Sequence, residues 1–123
     1  MRNTMVLIRN RLDRLGVLVS GLCALHCVAG LLLVAGLGIG GQALFDPAIH
    51  EVGLALAIVV GAVTLGLGIL KHGDLRPLQF GGVGLGLMLG ALIYGHGPAE
   101  AVLTIAGVSF LGWAHIRNLR LSN

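Results

Sequence analysis

The chain has 123 residues, of which 56% are hydrophobic and only 11% charged, with a formal net charge of +3. Its mean hydropathy of +0.96 lies far above that of water-soluble domains, so the chain is expected to be a single integral membrane domain. The eight Lys and Arg are scattered over short flanking segments and build no continuous basic face, which excludes nucleic acid as a partner.

Residues 1–14 carry Arg2, Arg9, Arg11 and Arg14 among Met5, Ile8 and Leu12, the pattern of a cytoplasmic amphipathic segment on the membrane surface. A first span follows over about 15–37. It is too long for the roughly 7–15 residue apolar stretch of a signal peptide, and it ends in the glycine cluster Gly38, Gly40 and Gly41. The second span, about 48–70, starts after Asp46-Pro47, a favourable helix start. A polar turn over 71–77 separates it from a third span at about 78–94. Gly95-His96-Gly97-Pro98 then breaks the chain before a fourth span at about 99–119.

In lipid every backbone group must be satisfied within its own segment, and the alternation of a membrane barrel is absent. The expected fold is therefore all-α, a four-helix up-down-up-down transmembrane bundle. The basic residues cluster before the first span, at Lys71 and Arg76, and at Arg117 and Arg120. By the positive-inside rule both termini and the middle loop are cytoplasmic, while 42–47 and 95–98 face outward. In the third span Gly82, Gly86 and Gly90 recur every fourth residue, a smooth face for a neighbouring helix or for a second copy in a homodimer.

One stretch of the first span carries chemistry. Cys23, His26 and Cys27 are spaced i, i+3, i+4 and share one helix face; Gly16, Ser20, Cys23, Cys27 and Gly30 extend it into a narrow stripe that points at other helices. Two thiols one turn apart suit a soft cation, and His26 is read as a third ligand or as the base that raises the thiolate fraction. An imidazole at mid-membrane is costly unless partnered, which favours function over packing alone.

His50 and Glu51 at the start of the second span, with Asp46, and His96 and Glu100 at the opposite turn are read as accessory groups around a cation-attracting mouth. On the other side His115 and Asn118 share a face of the fourth span, with His115 a candidate relay toward Cys23, and His72 is read as a solvated loop residue. No nucleophile elbow, phosphate loop or HExxH motif is present, so enzymatic activity is not expected.

Asp13-Arg14-Leu15-Gly16, Leu22-Cys23-Ala24-Leu25-His26-Cys27, the basic middle loop and Ala114-His115-Ile116-Arg117-Asn118 together resemble the MerC-type family of mercury-resistance membrane proteins. The resemblance covers nearly the whole chain. It implies four inner-membrane helices and uptake of mercuric ion toward a cytoplasmic acceptor, with Cys23 and Cys27 as the carrying thiols. The spacing departs from the family's pair two residues apart, since three residues, His26 among them, separate these cysteines. The expected partners are lipid, the metal ion, the cytoplasmic acceptor and a second copy of the chain; no resident cofactor is expected beyond the metal itself. Two other readings fit the same residues: binding of another thiophilic metal or of haem, and a structural partner of a membrane complex.

Overall fold

The computed structural model describes residues 2–37, 47–94 and 98–122, so Asp46 and His96, two of the expected mouth residues, lie outside the described residues. The described residues form four helices: α1 Arg2–Leu37, α2 Pro47–His72, α3 Arg76–Tyr94 and α4 Pro98–Ser122. Each contains a segment long and apolar enough to cross a membrane, and the fold is the expected all-helical bundle. Prolines at the first position of α2 and α4 fit helix starts, where the missing N–H is not needed.

α1 differs from the expected arrangement. It is one helix from Arg2 to Leu37, with no break at residue 14 to lay its start flat as a separate surface helix. Nothing between Arg2 and Leu37 interrupts helical geometry, since this segment holds no proline and its glycines are isolated. The burial of Arg9 and Asp13 shows instead that the N-terminal turns pack into the bundle.

The turn between α2 and α3 is tightly specified. Gly73 takes the left-handed conformation with φ of 73°, and its N–H donates to the Ile69 carbonyl at 2.8 Å, a glycine-ended helix stop. Asp74 then caps α3, its carboxylate accepting the Arg76 N–H at 2.9 Å.

α4 is the central helix. It packs closely along both α3 and α1, while α2 touches all three others more loosely; α1 and α3 face each other across the diagonal without contact among the described residues. The α3–α4 approach is backbone to backbone. A Cβ on Gly84 would stand 2.5 Å from the Gly107 carbonyl oxygen, and one on Gly107 would stand 2.7 Å from that of Gly84. The packing glycines of α3 within the bundle are Gly81 and Gly84, whereas Gly82, Gly86 and Gly90 look into open space, so of the two uses read for that row the contact with a neighbouring helix of the same chain falls away. Both sets recur at helical spacing, and having no side chain they leave no hydrophobic signal to tell which row faces inward.

Large aliphatic side chains such as Leu25, Leu32, Leu70 and Ile93 point outward toward the lipid. The interior holds a small apolar cluster of Leu54, Met88, Val108 and Leu111, with Cys23, Ala24, Ala57 and Leu85 packed against it. Buried alongside are Asp13, Ser20, His50, Thr64, Glu100, Thr104, His115 and Asn118. Lipid supplies no hydrogen bonds, so polar side chains gather where protein partners exist. They do so in two layers, one on each side of the apolar cluster.

Candidate functional site

The first layer lies toward the connections from α1 to α2 and from α3 to α4. Cys27 on α1 is almost wholly buried, and its Sγ stands 3.7 Å from His50 Nε2 on α2. The other ring nitrogen, His50 Nδ1, lies 3.0 Å from Glu100 Oε1 on α4, close enough for an ion pair though out of line for a straight hydrogen bond. Thiol, imidazole and carboxylate thus follow one another across three helices. A carboxylate beside Nδ1 favours the tautomer with the proton on that nitrogen, leaving Nε2 to accept the thiol proton.

His26 sits edge-on to His50, with ring centroids 6.4 Å apart and planes at 69°. Cys23, one turn earlier, is half-buried. Val19, Leu22, Cys23, His26, Cys27, Ile49 and His50 line a groove of about 310 Å³ between α1 and α2, and both thiols are on its wall. Both cysteines are free. The stripe of Gly16, Ser20, Cys27 and Gly30 is buried as its spacing suggests, with Cys23 at its edge.

Of the accessory residues, the structure brings His50 and Glu100 to Cys27. Glu51 is exposed, since it follows His50 and so points about 100° around the helix. Glu100 is not part of a solvent-facing ring of acids: only 1% of its surface is accessible, and it is turned inward to His50. Among the described residues no three His, Cys, Asp or Glu side chains converge on one metal position. The two thiols on the groove wall are of the donor type that a soft cation prefers.

The second layer lies beside the α2–α3 turn and the chain ends. His115 Nδ1 on α4 stands 2.8 Å from Asp13 Oδ1 on α1 and 3.4 Å from Thr64 Oγ1 on α2. The Thr64 hydroxyl donates to the Val60 carbonyl at 2.7 Å, so toward His115 it can only accept. Asn118 Nδ2 donates to Asp13 Oδ2 at 2.7 Å and to the Thr64 carbonyl at 3.1 Å. His72 completes the chain. Its Nδ1 accepts the Asp74 N–H at 3.1 Å, which puts the proton on Nε2, and Nε2 then donates to Asn118 Oδ1 at 2.8 Å.

Two glycines make room for this layer. The His115 ring lies against Gly16, where a Cβ would stand 2.5 Å from Nε2, and the Asn118 carboxamide fills the place a Cβ on Gly68 would need. His115 is therefore not brought to the thiols as the sequence reading proposed; it is held by Asp13 at the other layer. Asp13 and Cys27 are about 21 Å apart along α1 at 1.5 Å per residue, as are His50 and Thr64 along α2.

Sequence reasoning missed Asp13 and Thr64 as site residues and read His72 as solvated. The signal that was available is that an acid inside an apolar helix must find a partner. Asp13 sits one turn before Gly16 on the inward stripe, and His115 and Asn118 were already seen to share a face.

Fold and site together define a multi-pass membrane protein in which a buried thiol, Cys27, meets an imidazole and a carboxylate, with a second thiol, Cys23, one turn away. Residues 13–120 match the MerC mercury resistance protein family, and the chain belongs to that family. No curated protein and no solved structure shows significant similarity to it.

Proposed function

We propose that the chain binds mercuric ion at Cys23 and Cys27 and carries it across the inner membrane toward a cytoplasmic acceptor, acting as a carrier rather than an enzyme. The observation that supports this reading best is the contact of Cys27 Sγ with His50 Nε2 at 3.7 Å, backed by Glu100. A buried thiol is a poor ligand until it loses its proton, and an imidazole held by a carboxylate takes that proton at the place where the metal binds. His50 accordingly takes the base role, and His26 stays with the groove wall, where it meets the ion on its way in.

The four spans bring both chain ends to one side. The arginines of α1, together with Lys71, Arg76, Arg117 and Arg120, support a cytoplasmic position for that side by the positive-inside rule. The thiol layer is then nearer the outer face, and the Asp13 layer is nearer the cytoplasm.

The test is the double replacement Cys23→Ser/Cys27→Ser in cells making equal amounts of protein. Mercuric ion uptake is expected to fall to the level of cells lacking the protein. Uptake at the unaltered rate would overturn the proposal. Reporter fusions check the topology: a fluorescent protein that folds only in the cytoplasm should be bright at either end.

A further inference from the structure

The second layer repeats the chemistry of the first with one group missing. In the thiol layer a histidine has a carboxylate at Nδ1 and a thiol at Nε2. At the Asp13 layer His115 has a carboxylate and a hydroxyl at Nδ1, and both Asp13 oxygens are engaged, by His115 and by Asn118. Its Nε2 makes no hydrogen bond among the described residues and lies against Gly16, and His115 borders a largely apolar cavity of about 70 Å³ whose other polar lining residue is Ser20. That volume is enough to hold water. Val19 lines both this cavity and the groove of Cys23 and Cys27.

Charge is the second observation. Asp13, as a carboxylate, brings a negative charge to a position with no accessible surface, and its two direct partners, Asn118 and His115, are neutral donors. An uncompensated charge in the interior of a membrane protein is costly. A proton on His115 Nε2 converts the pair into imidazolium and carboxylate, with no net charge.

Among the described residues no other titratable side chain touches Asp13 directly. On α1, Arg9 is buried one turn before Asp13, but it hydrogen-bonds Asn10 and lines a space with Leu67, Leu70 and Lys71. On α2 the facing groups are Thr64, which is not titratable, and His72, which reaches the layer through Asn118. On α4 Asn118 is neutral, and Arg117 precedes it on an adjacent face. The titratable residues of α3, Arg76 and Tyr94, are exposed at its two ends.

We propose that the Asp13–His115 pair is a proton-binding site, and that it takes up a proton on His115 Nε2 when the dithiol loads with metal. The step balances without a redox partner. Two S–H bonds break and two sulfur–metal bonds form, releasing two protons; one goes to His50 Nε2, and the other passes through the water-sized cavity to His115 Nε2. Asn118 and His72 connect the same pair by hydrogen bonds to the α2–α3 turn. The link to metal loading rests on the thiol reading above; proton binding by the pair does not.

The experiment is 15N NMR of the histidine rings in the full chain, in detergent micelles, over about pH 5–8, where histidine changes charge. In the unaltered protein Nε2 of His115 should pass from bare to protonated as pH falls, with Nδ1 protonated throughout. Asp13→Asn should reduce the proton occupancy of Nε2 at neutral pH about tenfold, because the countercharge is gone. One equivalent of mercuric chloride at constant pH should raise that occupancy in the unaltered protein and leave it unchanged in Cys23→Ser/Cys27→Ser.

A His115 that stays neutral across the range, or one that titrates identically with Asn at position 13, overturns the site. The unaltered protein decides the first point even if Asp13→Asn does not fold. Titration that ignores mercuric chloride while the thiols bind it overturns the coupling. Mercuric ion that fails to bind the thiols counts against the carrier reading, and the titration of His115 still decides the proton site.

Discussion

Cys27 of α1 and His50 of α2 share one proton position, with Sγ and Nε2 3.7 Å apart in the buried interior. A proton acceptor therefore stands beside the thiol inside the bundle. With Gln in place of His50, alkylation of Cys27 by a membrane-permeant maleimide should slow at least about tenfold at neutral pH, within the range ascribed to a positioned base. The gap should narrow as pH rises and hydroxide takes over that role. Equal rates at neutral pH would remove His50 from the mechanism.

Metal binding at the dithiol should strengthen with pH by a slope that counts the protons leaving the chain, less steep where His50 and His115 retain them. Each thiol gives up one proton, so apparent affinity should rise about 100-fold per pH unit while both thiols are protonated and no other group takes part in the exchange. In Cys27→Ser the slope should drop to about tenfold per unit. Competition titration against a mercury chelator at several pH values measures both profiles; equal affinity and equal slope in Cys27→Ser and in the unaltered chain would mean that Cys27 is not a ligand.

Gly68 and Asn118 should behave as one unit. Alanine at 68 would occupy the space of the Asn118 carboxamide, and Asn118→Ala would strip partners from Asp13 Oδ2, the Thr64 carbonyl and His72 Nε2. Each single change should cost on the order of 1–3 kcal/mol, the first by overpacking and the second by leaving buried polar groups unsatisfied. The double variant should cost less than the sum, because removing the carboxamide makes room for the new methyl. Unfolding in a denaturing detergent mixture, read by circular dichroism, gives the three values.

The glycines of α3 should divide sharply. Gly84→Ala drives a methyl into the backbone of α4 and should destabilise by about 1–3 kcal/mol. Gly82→Ala and Gly86→Ala meet nothing in the bundle and should be neutral, or stabilising by under about 1 kcal/mol, as alanine is the better helix former. Destabilisation at Gly82 or Gly86 of the full chain would indicate that another surface covers that row.

The helices and their breaks were readable from hydropathy, Pro47, Gly73 and Pro98, because those signals are local. So was the stripe bearing Cys23 and Cys27, since periodicity along one helix defines a face. What periodicity does not carry is the pairing between faces. His50 and Glu51 were equivalent candidates at the start of α2 until the bundle turned one to Cys27 and the other outward. The bond between Asp13 and His115 joins residues 102 positions apart, and only the docking of α1 against α4 brings it about. The two glycine rows of α3 were indistinguishable for the same reason: what separates them is the Gly107 backbone opposite Gly84.

Because α1 runs as a single helix from Arg2 to Leu37, Asp13 and Cys27 ride on one stiff rod. A sliding or turning of that rod moves both together, so the thiol cannot be withdrawn from His50 without also straining the grip of Asp13 on His115. The contacts of the second layer thus act as a latch on the register of the first: whatever holds or loosens Asp13 sets how firmly the thiol is presented to its base, some 21 Å away along the same axis.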